Sequence, residues 1–258
     1  MIWACHNLLV MISVAYSDIP PFLHSGAFYQ SLSTEDRSDT IQIPEECFTV
    51  VESVTSNADL AKLLRVTAFW GLNKIPTGAI QFCHVSEAAS WSPVVEAEGK
   101  EYGIAQDLLS IFKTSGDLND RVVKAVELNR SEVVEFLLPS VREAYGAPEM
   151  AALHGHLDIL QLFLKYNHPW DEDVCTKAAE GGHLDCLKFL HENGCPWDHR
   201  VHLVAAQRGY LHCIQYAHEK GLGFGKHALY SAAHIGHMDT LQYLIAQKCA
   251  LDENATYN

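Results

Sequence analysis

Four alanine pairs, Ala151-Ala152, Ala178-Ala179, Ala205-Ala206 and Ala232-Ala233, stand 27 residues apart, and the segments between them align without a gap. A unit of that length cannot bury an apolar face by itself, so units that recur at a fixed period must stack on their neighbours. The units read AALHGHLDILQLFLKYNHPWDEDVCTK, AAEGGHLDCLKFLHENGCPWDHRVHLV, AAQRGYLHCIQYAHEKGLGFGKHALYS and AAHIGHMDTLQYLIAQKCALDENATYN. Each carries Gly at its fifth position, then His or Tyr, then Leu or Met. A weaker copy precedes them at a spacing of 26, from Ala125 through 131–138 (SEVVEFLL).

The pattern within a unit predicts two short helices. The second is clearest over 184–191, where Leu184, Leu187, Phe189 and Leu190 are apolar and Asp185, Lys188 and His191 are polar. Asn193-Gly194 ends it, and Pro196 prevents its continuation. The first helix is expected to start near Asp173 as N-cap and to run through the alanine pair to Gly181-Gly182. Alanine favours helix and lets neighbouring helices approach closely.

The pattern AA-x-x-GHL-[DE]-x-[LV]-x-[FYL]-L resembles the centre of the ankyrin repeat, and GCPWD at 194–198 resembles a short variant of that family. The resemblance covers about 125–258. An ordinary unit of the family has ~33 residues, so the shortfall would come out of the hairpin projecting between units. The resemblance implies a concave face lined by first helices. In phase with it, the positions beside the alanine pairs are Lys177, Glu180, Val204, Gln207, Arg208, Ser231, His234 and Ile235, and these are the expected partner-binding residues. Trp170 and Trp197 are expected to fill the gap between successive second helices.

Residues 1–100 show no such period. Ile41-Gln42-Ile43-Pro44 alternates like a strand; helical segments follow at 45–54 and 58–70, then one towards Cys83. The order strand, PEECF, LAKLLRVTAFWGL and IQFC is similar to the second half of a BTB domain, with Phe69-Trp70-Gly71-Leu72 as its closing turn. The competing reading is an irregular helical cap. A connection is expected at 90–100, and 106–112 (QDLLSIF) followed by Gly116 reads as a degenerate first repeat. The expected fold is therefore all-α: an ankyrin-like helical-repeat solenoid over 101–258 with a smaller, mostly helical N-terminal region, α+β if the BTB likeness holds. The solenoid divides into a cap (about 101–124), a weak repeat (125–150) and repeats at 151–177, 178–204, 205–231 and 232–258.

The formal charge of −14 would repel a phosphate backbone or an anionic membrane surface, so neither nucleic acid nor membrane is an expected partner. No apolar run reaches the ~18 residues that span a bilayer. The apolar stretch 1–16 lacks the basic start of a secretory signal, the first Lys or Arg being Arg37. Eight dispersed cysteines do not form a small disulfide scaffold and point to a reducing compartment, cytoplasmic or nuclear. The triplets at 129–131 and 254–256 match a glycosylation pattern too short to carry weight.

His183, Cys186, His191, Cys195 and His199 invite a metal-binding reading, but the repeat already accounts for them: Cys186 recurs as Cys213 and Cys195 as Cys249. GLGFGK at 221–226 lacks the spacing of a phosphate loop and falls in phase with GCPWD, as an inter-repeat turn. Neither G-x-S-x-G nor a catalytic cysteine signature is present. No catalytic, cofactor or metal site is therefore expected, and the function indicated is a non-catalytic protein–protein interaction scaffold whose partner is another protein. Two alternatives stand beside it: a BTB-ankyrin substrate adaptor of a cullin-type ubiquitin ligase, and a His/Cys metal-binding protein. Residues 252–258 are in phase with 171–177, so either further repeats follow or the chain self-associates through its C-terminal repeat or a BTB-like N-terminus.

Overall fold

The structure is a computed structural model describing residues 11–15, 40–44, 56–70, 75, 77–85, 92–93, 95, 103–113, 117–224 and 227–249. Its contacts divide the chain into two compact units, 1–115 and 116–258.

In the first unit, β1 (Met11–Ala15) pairs antiparallel with β2 (Thr40–Pro44), Ile12 opposite Ile43 and Val14 opposite Ile41. The second of these is the strand expected from the alternation at 41–44. Helix α1 (Asn57–Trp70) starts in a reciprocal cap: Ser56 Oγ accepts from the Asp59 amide, and Asp59 Oδ2 accepts from the Ser56 amide and hydroxyl. Leu60, Leu63, Leu64 and Val66 form its buried face. Helix α2 (Thr77–Val85) buries Ala79, Ile80 and Cys83. Helix α3 (Gly103–Phe112) buries Leu108, Ile111 and Phe112 beside α2, with the Phe112 ring 6.4 Å from His84. Helix α3 lies in the first of the two compact units, whose boundary falls between 115 and 116. The helix expected at 45–54, most of the connection at 90–100 and the turn at 71–72 lie outside the described residues.

The second unit consists of helix pairs: α4 (Leu118–Glu127) with α5 (Ser131–Leu137), α6 (Ala147–His154) with α7 (Leu157–Lys165), α8 (Glu172–Gly181) with α9 (Leu184–Glu192), α10 (Arg200–Arg208) with α11 (Leu211–Glu219), and α12 (Ala228–Ile235) with α13 (Met238–Ala246). The first helices pack against one another in chain order, as do α5, α7, α9 and α11 behind them. This two-layered row is the all-α solenoid expected from the repeat. Ala151, Ala152, Ala178, Ala179, Ala205, Ala206 and Ala232 are all fully buried, because only a methyl-sized side chain fits where first helices meet. The cap of α8 is Asp171, whose carboxylate accepts from the Asp173 amide at 2.9 Å; the cap expected at Asp173 is two residues too late. Asp117 caps α4 in the same way.

A feature outside the alanine pairs locks unit to unit. Gly182 closes α8 at φ +75°, and the ring of Tyr210 from the next unit lies on it, 2.8 Å from where a Cβ would stand. His183 lies in the same way on Gly155, and His237 on Gly209. His237 Nε2 is also 3.0 Å from the carbonyl oxygen of Gln207. At Gly155, Gly182 and Gly209, the fifth positions of their units, glycine is required both by its left-handed backbone and by the aromatic ring that covers it.

In the second layer Trp170 meets Phe189 edge-on at 6.3 Å, and Trp197 stacks on His191 at 4.0 Å with Tyr216 closing the cluster at 6.1 Å. These are the gap-filling contacts expected of the two tryptophans. One unit further, Phe224 lies 4.5 Å from His218, whose Nδ1 is 3.0 Å from the Tyr243 hydroxyl. Cysteines fill small spaces: Cys186 and Cys213 are buried, and the Cys175 thiol hydrogen-bonds with that of Cys195, which donates to the carbonyl of Asp171 at 3.2 Å.

Candidate protein-binding face

Because α8, α10 and α12 lie side by side, the residues flanking their buried alanines share one surface. On α8, Lys177 and Glu180 are half-buried; on α10, Val204 is half-buried and Gln207 and Arg208 are exposed; on α12, His234 and Ile235 are exposed. Ser231 is the exception, at 7% exposure. It stands in the column of Lys177 and Val204, both partly covered, and a serine lacks the length by which Lys177 carries its ammonium out to water.

The charges on this surface are organised across units. Glu180 accepts from Lys177 Nζ at 2.7 Å on its own helix and from Arg208 Nη2 at 3.1 Å on the next. The Lys177 ammonium first, and the Arg208 guanidinium with it, hold the Glu180 carboxyl below the ordinary range against a smaller opposing effect of burial. Nearer the helix N-termini, Arg200 of α10 joins Asp198, at 2.9 Å, to Glu172 at 3.4 Å and to Asp173 of α8. Sequence reasoning did not single out Arg200 or Tyr230. The latter is 39% exposed and stacks on His234 at 5.6 Å, so it belongs to the same surface. The spacing of four residues between them on one helix was the available signal.

Four of the five residues considered as metal ligands are used elsewhere. His183 covers Gly155, His191 stacks on Trp197, Cys195 donates to Asp171, and Cys186 is buried in α9. Among the described residues no three of His, Cys, Asp and Glu converge as they would around a metal ion. The GLGF segment is the inter-repeat turn its phase suggested, with Phe224 against α11. Among the described residues no helix is long and apolar enough to cross a membrane.

The surface can offer fixed hydrogen-bonding groups, paired charges and the apolar Ile235 to another molecule from a backbone whose spacing is set by stacking. Among curated proteins no relative matches this chain. Residues 201–245, from α10 through most of α13, match the family described as Ankyrin repeats (many copies), which gives this part of the array ankyrin-repeat character.

Proposed function

We propose that this protein is a non-catalytic interaction scaffold that captures a protein partner on the face formed by α8, α10 and α12. The observation carrying the reading is the Lys177–Glu180–Arg208 link, which runs between first helices and leaves Gln207, His234, Tyr230 and Ile235 exposed beside it. Ankyrin repeats generally serve as protein-interaction modules, which agrees with that arrangement. Recognition would rest on shape and charge complementarity, with no covalent step. The buried, unbridged thiols of Cys186 and Cys213 suit a reducing compartment such as cytoplasm or nucleus.

The test is affinity capture with the full chain against the double variant Arg208→Glu, His234→Glu. Both side chains are exposed, so the melting temperature should hold while capture of the wild-type partner is lost. Undiminished capture by the variant would place the partner on another surface. The second reading, a cullin-ligase adaptor, is favoured by the order β2, α1, α2 in the first unit. Co-sedimentation of the full chain with a cullin N-terminal domain tests it; absence of a complex at micromolar concentrations would remove it.

A further inference from the structure

His202 does not fit its column. At the same point of the other units stand Pro148, Cys175 and Leu229, all buried and none of them a base. His202 is equally buried, at 0% exposure, yet neither ring nitrogen has a well-formed hydrogen bond. Its ring lies 4.7 Å from that of Phe224, which in turn lies 4.5 Å from His218. The carbonyls of Ile214 and Gly223 are near and favour a proton, but by less than burial opposes it. The titratable groups facing it are His218 on α11 and His199 in the turn before α10, both bases that oppose a charge on His202. Burial first, and those two imidazoles with it, lower the His202 pKa to about 4.

An imidazolium here would have no carboxylate to pair with and an aromatic wall in place of water. The ring is tolerated neutral, as an aromatic filler between α10, α11 and the turn at 221–224. A proton can be accommodated only if that turn and α10 separate. Val204, Gln207 and Arg208 sit on the same helix within two turns of His202.

We propose that His202 makes the α10–α11 unit an acid-sensitive element: in mild acid its protonation opens this unit locally while the others remain folded, and the binding face loses its central helix. Only the consequence for a partner rests on the function proposed above; the opening itself concerns the free chain. With the folded pKa lowered, the open form takes up the proton more readily. The opening equilibrium is unaffected above ~pH 6.5, the unfolded value, and moves towards the open form as pH falls below it, levelling off near the folded value.

The experiment is hydrogen exchange with mass-spectrometric readout on the partner-free full chain at pH 7 and pH 5, corrected for intrinsic exchange. Peptides spanning 199–224 should lose protection roughly twentyfold over that interval, the factor given by separate folded and unfolded values for one imidazole, while those spanning α6 and α7 change much less. His202→Leu and His202→Cys, which install the residues of the Leu229 and Cys175 positions, should remove the extra loss. His218→Gln should retain most of it. Two results would overturn the proposal: an equal loss of protection in all units, or persistence of the 199–224 loss in whichever of the two His202 variants is folded at pH 7.

Discussion

Tyr210 and its counterparts His183 and His237 show how much one side chain per unit decides. Each ring presses on the glycine that ends the preceding first helix, so inter-unit contact depends on the absence of a Cβ. Gly182→Ala would place a methyl into the Tyr210 ring at a backbone of φ +75°. The left-handed backbone costs ~1 kcal/mol or more and the overpacking about 1–3 kcal/mol, so chemical denaturation should show a loss near the sum. A loss below ~0.5 kcal/mol would mean that the ring does not sit there. The thiols give a second residue-level check. Burial pushes Cys186 up to about 11 and Cys213 up to about 12. Iodoacetamide at neutral pH should leave both unmodified in the native protein and label both in denaturant. Rapid native labelling of Cys213 would contradict its burial.

The helices separate what the sequence states openly from what it conceals. Alanine pairs at a constant interval announce the first-helix layer because small residues at a crossing leave a compositional mark. The second helices follow from Leu187 and Leu190 and their counterparts, since amphipathic spacing is local information. The N-cap of α8 was less legible: Asp171 and Asp173 are both good caps by chemistry, and the choice depends on backbone geometry that composition does not encode. β1 went unread because a five-residue strand gains meaning only from its partner 25 residues onward. On the candidate face, Ser231 was in phase and still buried, because periodicity gives a column while side-chain length decides whether that column reaches water. At this scale Asp171→Ala should cost ~1 kcal/mol through loss of the α8 cap, read as a shift in denaturation midpoint. Leu187→Ala, at the fully buried centre of α9, should cost about 2–5 kcal/mol.

As a whole, the second unit is a row in which each helix pair is held by its neighbours, so its stability is a sum of unit and interface contributions. At the end of the described row that support changes: Ala233 is exposed where Ala152, Ala179 and Ala206 are buried, and Met238 and Ile245 are 58% and 60% exposed. The chain also carries a formal charge of −14 at pH 7, and its sequence pI is ≈ 5.4. The net charge should therefore approach zero between ~pH 5 and 6, and light scattering at low salt should rise there; a flat trace would mean that most histidines resist protonation. The central claim, that 27-residue units stand by stacking, is tested most directly by native hydrogen exchange along 117–249 in the wild type and in Gly182→Ala. Protection should peak at each alanine pair and fall at each glycine turn, repeating every 27 residues. The substitution should lower it on both sides of the altered joint, in α8–α9 and in α10–α11, with less change further away. Protection without that period, or a loss confined to α8 alone, would contradict the account.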